Sequence, residues 1–183
     1  GYHLELGGEF ESEAAASRTI LGLSVLAIVG MAFLLFMAFR SWRDAALVMF
    51  NLPLALVGGA TAVWLGGGIM SIASLVGFIT LFGIATRNGI MMITHYRHLL
   101  VVEGLPLRDA VIQGSVDRLI PILMTALTAA LALIPIVLAV GEPGNEIQAP
   151  MAAVILGGLT SATLLNLLVI PTLFARFAVT SRP

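Results

Sequence analysis

The sequence predicts an all-α membrane protein: five transmembrane helices, a cytoplasmic amphipathic helix, and a short periplasmic strand-and-helix lead at the N-terminus. Three observations predict it. Of 183 residues, 59% are hydrophobic and 10% charged, and the mean hydropathy is +1.05, whereas soluble domains carry about 25% charged residues. Charges gather in short clusters between long charge-free runs, and the basic ones fall mostly on alternate sides of those runs. So much apolar surface cannot be hidden inside one small core, which excludes a soluble enzyme and a disordered tail. A net charge of −1 gives no electrostatic footprint for nucleic acid. The absence of cysteine removes disulfides, thiol nucleophiles and cysteine metal sites together.

Residues 2–6 (Tyr-His-Leu-Glu-Leu) suit a short strand leading into Gly7-Gly8, and 9–18 suit a polar helical lead. A hydrocarbon core of about 30 Å needs about 20 apolar residues to cross it as a helix. Charge-free runs of that order cover 19–39, 45–65, 69–94 (interrupted only by Arg87), 119–140 and 147–175. Pro and Gly inside several of them are tolerated by membrane helices. Pro53, Pro121, Pro135 and Pro171 mark expected kinks or helix ends. Gly58, Gly59, Ala60, Gly77, Gly83, Gly89, Gly157 and Gly158 mark expected close helix contacts. Between the third and fourth runs, Pro106 suits a first helical turn. There Leu107, Ala110, Val111 and Gly114 fall opposite Arg108, Asp109 and Asp117, the pattern of an amphipathic helix on the membrane face.

Five spans put the termini on opposite sides. The side holding the 40–43 turn, the 95–118 segment and the C-terminal tail carries Arg40, Arg43, Arg97, Arg108, Arg118, Arg176 and Arg182. The other side carries Arg18 alone among basic residues, with six Glu. The positive-inside rule then places the N-terminus outside and the C-terminus in the cytoplasm. An external start with no signal peptide and no initial Met reads as the C-terminal piece of something longer.

Arg87 is the residue that asks for chemistry. A charge near the bilayer centre costs about 2.5–3.5 kcal/mol on insertion scales and needs a partner or water. No acid lies in any of the five runs, so the counter-ion must come from elsewhere. Two readings stay open: Arg87 snorkels toward the charged segment near His95, or it belongs to a functional polar site. Thr86, Asn88, Thr125 and Thr128 are candidate neighbours, with Asn166 another lone amide. His95 and His98 share a helix face, yet two His without a third ligand make a poor metal site. Met91, Met92 and the other six Met suit gap-filling better than soft-metal contact. No nucleophile–base set, HExxH, glycine-rich phosphate loop or CxxC is present, so neither an enzyme nor a resident cofactor or metal is expected.

These residues also carry a resemblance. Gly7-Gly-Glu-Phe-Glu11 followed by Ala38-Phe-Arg-Ser-Trp-Arg-Asp-Ala45 resembles the start of the C-terminal membrane bundle of resistance–nodulation–division efflux pumps. Gly77-Phe-Ile-Thr-Leu-Phe-Gly-Ile-Ala-Thr-Arg-Asn-Gly-Ile90 is similar to the tenth helix of their heavy-metal branch. Arg118-Leu-Ile-Pro-Ile-Leu-Met-Thr-Ala-Leu-Thr128 with Ile134-Pro135 resembles the eleventh. Pro150 through Gly157-Gly158 to Val169-Ile-Pro-Thr172 resembles the twelfth. The resemblance implies that residues 1–18 end a periplasmic porter region, 19–176 form the C-terminal transmembrane bundle and 177–183 a cytoplasmic tail.

It further implies a homotrimeric, proton-driven bacterial inner-membrane exporter of metal cations, working with the N-terminal half of the same pump, a periplasmic adaptor, an outer-membrane channel and the lipid bilayer. Arg87 would face a fourth-helix Asp of that half, with Thr86, Asn88 and Thr125 along the proton pathway. Monovalent copper/silver pumps resemble this chain but have an acid at the Arg87 position and Lys where Ile122 stands, so the resemblance points to divalent cargo. Two alternatives are a related pump for drugs or lipids, and a truncated, inactive membrane remnant.

Overall fold

A computed structural model describes residues 8–68 and 70–177, with side chains from residue 15 onward. Six helices follow one another: α1 (Gly8–Phe39), α2 (Trp42–Met49), α3 (Asn51–Leu65), α4 (Ile72–Val101), α5 (Leu107–Leu138) and α6 (Gln148–Phe177). Taken with α2 and α3 as one span, five segments are long and apolar enough to cross a membrane. The strand expected at 2–6 lies outside the described residues, and the polar lead expected at 9–18 forms the opening turns of α1.

The second span breaks at Phe50, between α2 and α3. Pro53 explains the break, because it has no N–H to donate to the Met49 carbonyl one turn back. Arg40 turns the corner between α1 and α2 in the left-handed region, at φ 50°. The Ser41 hydroxyl then caps α2 by accepting from the Asp44 amide at 3.4 Å.

The segment around 106–118 differs from expectation in one respect. Its helical pattern is present, and Ala110, Val111 and Gly114 are buried. It is not a separate helix lying on a membrane face, however: it forms the first turns of α5 and runs on through Arg118 to Leu138 without a break. Its apolar face packs on α4, where Gly114 sits against Tyr96 and Leu99. Charge marks where the expected span ends, but the helix does not stop there: Pro121 leaves the Asp117 carbonyl without its helical donor, yet α5 runs on past it and past Pro135, as α6 does past Pro171. α4 likewise continues past residue 94 to Val101.

Packing centres on α3, α4 and α6. The α3–α6 seam brings backbones together at Gly58 and Gly157, where an added Cβ on Gly157 would lie 2.6 Å from the Gly58 carbonyl oxygen. On the α4–α6 seam Gly77 faces Val154, Leu81 faces Gly158, and Tyr96 meets Phe174 with ring centroids 5.0 Å apart. A constant offset of 77 or 78 residues means that α4 and α6 run parallel. α3 runs against both, since Leu54 meets Ser161 and Gly58 meets Gly157.

Candidate functional site

Arg87 stands midway along the 30 residues of α4, which opens with Ser71 capping the Ser74 amide. At 1.5 Å per residue it lies about 20 Å from either end. The two faces of this helix differ in kind. One side is buried along Gly77, Leu81, Ala85, Asn88, Met92 and Tyr96 against the rest of the bundle. The opposite side is exposed and carries Thr80, Gly83, Arg87, Thr94 and His98 at helical spacing. An open cleft of about 350 Å³ lies over this second side, lined by Met31 of α1 with Gly83, Thr86, Arg87, Ile90 and Met91. The guanidinium makes no ion pair among the described residues.

The other expected site residues take three different positions. Thr86 is buried beside the cleft, its hydroxyl donating to the Met31 sulfur at 2.7 Å and so tying α4 to α1. Asn88 is buried on the reverse side of α4, on the stripe that faces α6. Thr125 is exposed on α5 and donates to the Pro121 carbonyl of its own helix at 2.9 Å. Thr128 bonds within α5 in the same way, to Met124. The α4–α5 register nevertheless relates Thr125 to Arg87. His95 meets Asp117 at 3.0 Å and the Tyr96 hydroxyl meets that of Ser115 at 2.7 Å, so the helices are antiparallel. Eight residues further along each helix, in opposite directions, lie Arg87 and Thr125, at the same height. The structure thus joins Arg87 and Thr86 along one cleft, sets Thr125 level with them, and puts Asn88 behind.

The two histidines part company. His95 pairs with Asp117 of α5, while His98 is 3.8 Å from Glu103 in the following loop. Among the described residues no group of three or more His, Cys, Asp or Glu is placed to hold a metal ion.

Two polar features lie beyond the sequence reading. Arg97 forms an ion pair with the Asp44 carboxylate at 2.7 Å and donates to the Phe39 carbonyl at 2.9 Å, gripping the corner between α1 and α2. Its partners are more than fifty positions away in the chain, and nothing local announces them. Asn51 sits inside a run that charge alone marks as featureless. Its amide donates to the Ala85 carbonyl of α4 at 2.9 Å.

The chain as a whole is similar to known proteins. The AcrB/AcrD/AcrF family profile matches residues 1–178. Protein HelA of Legionella pneumophila is 45% identical over 177 residues, covering 97% of this chain and 17% of that protein. The cobalt-zinc-cadmium resistance protein CzcA of Cupriavidus metallidurans is 42% identical over 174 residues, covering 95% of this chain and 16% of that protein. A crystal structure of a heavy metal efflux pump superposes with a TM-score of 0.82 and 38% identity, over 97% of this chain and 18% of that one. The chain therefore spans about a sixth of the length of the curated relatives it matches.

Proposed function

The chain belongs to the AcrB/AcrD/AcrF family, a family of membrane transporters rather than enzymes, and we propose that it is the C-terminal membrane portion of a proton-driven exporter of heavy-metal cations. The observation that carries this reading is the exposed face of α4. A helix side bearing Arg87 at mid-span with no ion-pair partner among the described residues is unfit for lipid, which does not solvate a guanidinium. It suits a polar neighbour or a water-filled path supplied by the rest of the protein.

In this reading an acid from the N-terminal half pairs with Arg87 when ionised. Protonation removes its charge, releases Arg87, and lets the helices shift. Thr86, beside Arg87 in the cleft, and Thr125, level with it on α5, line the path as hydrogen-bonding groups. Asn88, buried on the reverse side of α4, stands apart from this path. The N-terminus is periplasmic and the C-terminus cytoplasmic, a reading that the Arg distribution supports. The assembly is a trimer in the bacterial inner membrane, joined to a periplasmic adaptor and an outer-membrane channel. Cobalt, zinc and cadmium in the name of the CzcA relative support a divalent cargo, as does Arg87 where the monovalent pumps have an acid.

The test is Arg87→Ala and Arg87→Lys in the native protein, followed by zinc, cobalt and cadmium tolerance of the source cells and by metal-driven proton flux in membrane vesicles. Arg87→Ala should abolish both while the protein stays at wild-type abundance, and Arg87→Lys should keep part of each. Full tolerance and flux in Arg87→Ala would remove Arg87 from the proton pathway. Unchanged metal tolerance on deletion of the whole protein, with loss of resistance to organic compounds, would give the cargo to another class.

A further inference from the structure

Three neighbouring helices hold α4 at one turn, Ala85–Gly89, whose exposed residue is Arg87. Met31 of α1 accepts the Thr86 hydroxyl on its sulfur at 2.7 Å. Val48 of α2 lies against Gly89, where an added Cβ would come 3.1 Å from Val48 Cγ1. Asn51 of α3 donates its side-chain amide to the Ala85 carbonyl at 2.9 Å, and both residues are buried.

These ties are not equivalent. A thioether sulfur is a weak acceptor, and an apolar contact has no preferred direction. A hydrogen bond onto a backbone carbonyl fixes both a distance and an angle. A slide of α4 by one residue, about 1.5 Å, would break the Asn51 bond. It would leave the amide unpaired on a side chain only 1% exposed. Ala85 and Arg87 are about 200° apart around the helix. The bond therefore grips α4 from behind, while Arg87 lines the open cleft in front. The break at Phe50 makes Asn51 the first residue of α3, where Asn is better tolerated than in a helix interior.

We propose that Asn51 is a positioning residue for Arg87: its bond to the Ala85 carbonyl sets the height and facing at which the guanidinium meets its counter-ion. The inference rests on the reading of Arg87 as partner to an acid from the N-terminal half. An opposite charge close by lowers a carboxyl pKa by about 1–3 units, so the acid's hold on its proton depends on how near the guanidinium comes. Without Asn51, α4 can roll or slide, the pair loosens, and the acid takes up its proton at a higher pH. No other described charge competes at this level. The cleft lining besides Arg87 is Met31, Gly83, Thr86, Ile90 and Met91, none of them ionisable. α3 carries no charge. The nearest charges on the other helices against α4 are Arg18 of α1, Asp44 of α2, Arg118 of α5 and Arg176 of α6. With His95 of α4 itself, all stand about 8 Å or more along the axis from Arg87, and Asp44 is already paired with Arg97.

The test is the pH profile of zinc-driven proton flux in membrane vesicles holding the native protein that contains this chain. Asn51→Leu and Asn51→Ser both remove the bond, and Ser is small enough to be accepted should Leu crowd the site. Asn166→Leu is the control, since Asn166 is as deeply buried and makes no side-chain hydrogen bond among the described residues. Arg87→Ala should abolish the flux. The midpoint of the profile should move up by about one unit in the Asn51 variants and stay at the wild-type pH in Asn166→Leu, whatever its rate. A wild-type midpoint in an Asn51 variant overturns the proposal. So does an equal shift in Asn166→Leu, which would make the effect a general loosening of the bundle. Full flux in Arg87→Ala overturns the underlying reading of Arg87, and the role of Asn51 with it.

Discussion

α1 and α5 are the most apolar spans of the molecule and the least buried within it: 6% of the apolar window of each is covered by the rest of the chain, against 56% for α4 and 44% for α6. A soluble protein orders its helices the other way. In lipid the surroundings are already as apolar as Leu, so burying Leu gains little, and helices associate through close backbone approach and interhelical hydrogen bonds instead. The inner trio α3, α4 and α6 holds Gly58, Gly77, Gly157, Gly158, Asn51, Asn88 and Asn166. α1 presents Leu26, Val29, Phe33 and Leu34 outward. The least apolar span is the most central because its small and polar residues give it something to bind.

Substituting glycines in the two regions should break this contrast most sharply. Gly58→Leu forces a side chain into the Gly157 carbonyl and Ser161, and should cost at least about 3 kcal/mol, enough to unseat α3 from α6. At Gly30 in α1 an added Cβ meets nothing within 4 Å, so Gly30→Ala should lose no packing and change stability by no more than about 1 kcal/mol, in the stabilising direction. Thermal unfolding of the detergent-extracted protein, followed by the fluorescence of Trp42 and Trp64, reads both. Equal losses would mean that the outer helix is packed as tightly as the inner trio.

Arg97→Met comes next. It leaves the buried Asp44 carboxylate and the Phe39 carbonyl without their partner. A buried pair broken on one side costs 3–5 kcal/mol, and the half-exposed guanidinium lowers the expectation here to about 2 kcal/mol. Asp44→Asn added to Arg97→Met should recover part of that loss in the same unfolding measurement. If the double variant is no better than the single, the charge on Asp44 is not what Arg97 balances.

The α4–α5 seam should give smaller effects. Ser115→Ala and Tyr96→Phe each delete one side of a 2.7 Å hydrogen bond and should cost about 1 kcal/mol apiece, with the double variant close to either single one. Asp117→Asn touches a pair whose acid is nearly half exposed and should shift stability by no more than about 0.5 kcal/mol. A larger effect at Asp117 than at Ser115 would move the weight of that seam to its charged end.

Length and the absence of charge determine a membrane helix, and both can be read along the chain, so the five spans were legible in the sequence, as were the contact glycines Gly58, Gly59, Gly77, Gly89, Gly157 and Gly158; Gly83 and Ala60, expected at contacts too, are exposed, and a Cβ at Gly83 would meet nothing within 4 Å. Helix ends were less so. Charge at 95–118 marks the edge of an apolar layer, whereas α4 and α5 run straight through it. Proline alone does not mark an end either: a break falls at Phe50, before Pro53, while Pro121, Pro135 and Pro171 lie inside unbroken α5 and α6. The polar contacts were legible only in part. Asn166 stands out as a lone amide, but its complete burial depends on helix packing that no local pattern encodes. Arg97 looks like any cytoplasmic Arg until the fold brings Asp44 and the Phe39 carbonyl to it. Arg87 and Thr125, thirty-eight positions apart, come level only through the seam that His95–Asp117 and Tyr96–Ser115 fix.

The uninterrupted backbone of α4 has a mechanical meaning. It contains no proline from Ile72 to Val101, and its hydrogen-bond ladder makes it stiff along its axis. Arg87 and Arg97 sit on it ten residues apart, about 15 Å, the first at an open cleft and the second holding the corner where α1 turns into α2. Such a helix is a connecting rod: an axial stroke delivered at Arg87 arrives undiminished at Arg97 and pulls on the Phe39 carbonyl. Under the proposed mechanism the α1–α2 corner is therefore where that stroke would be read out.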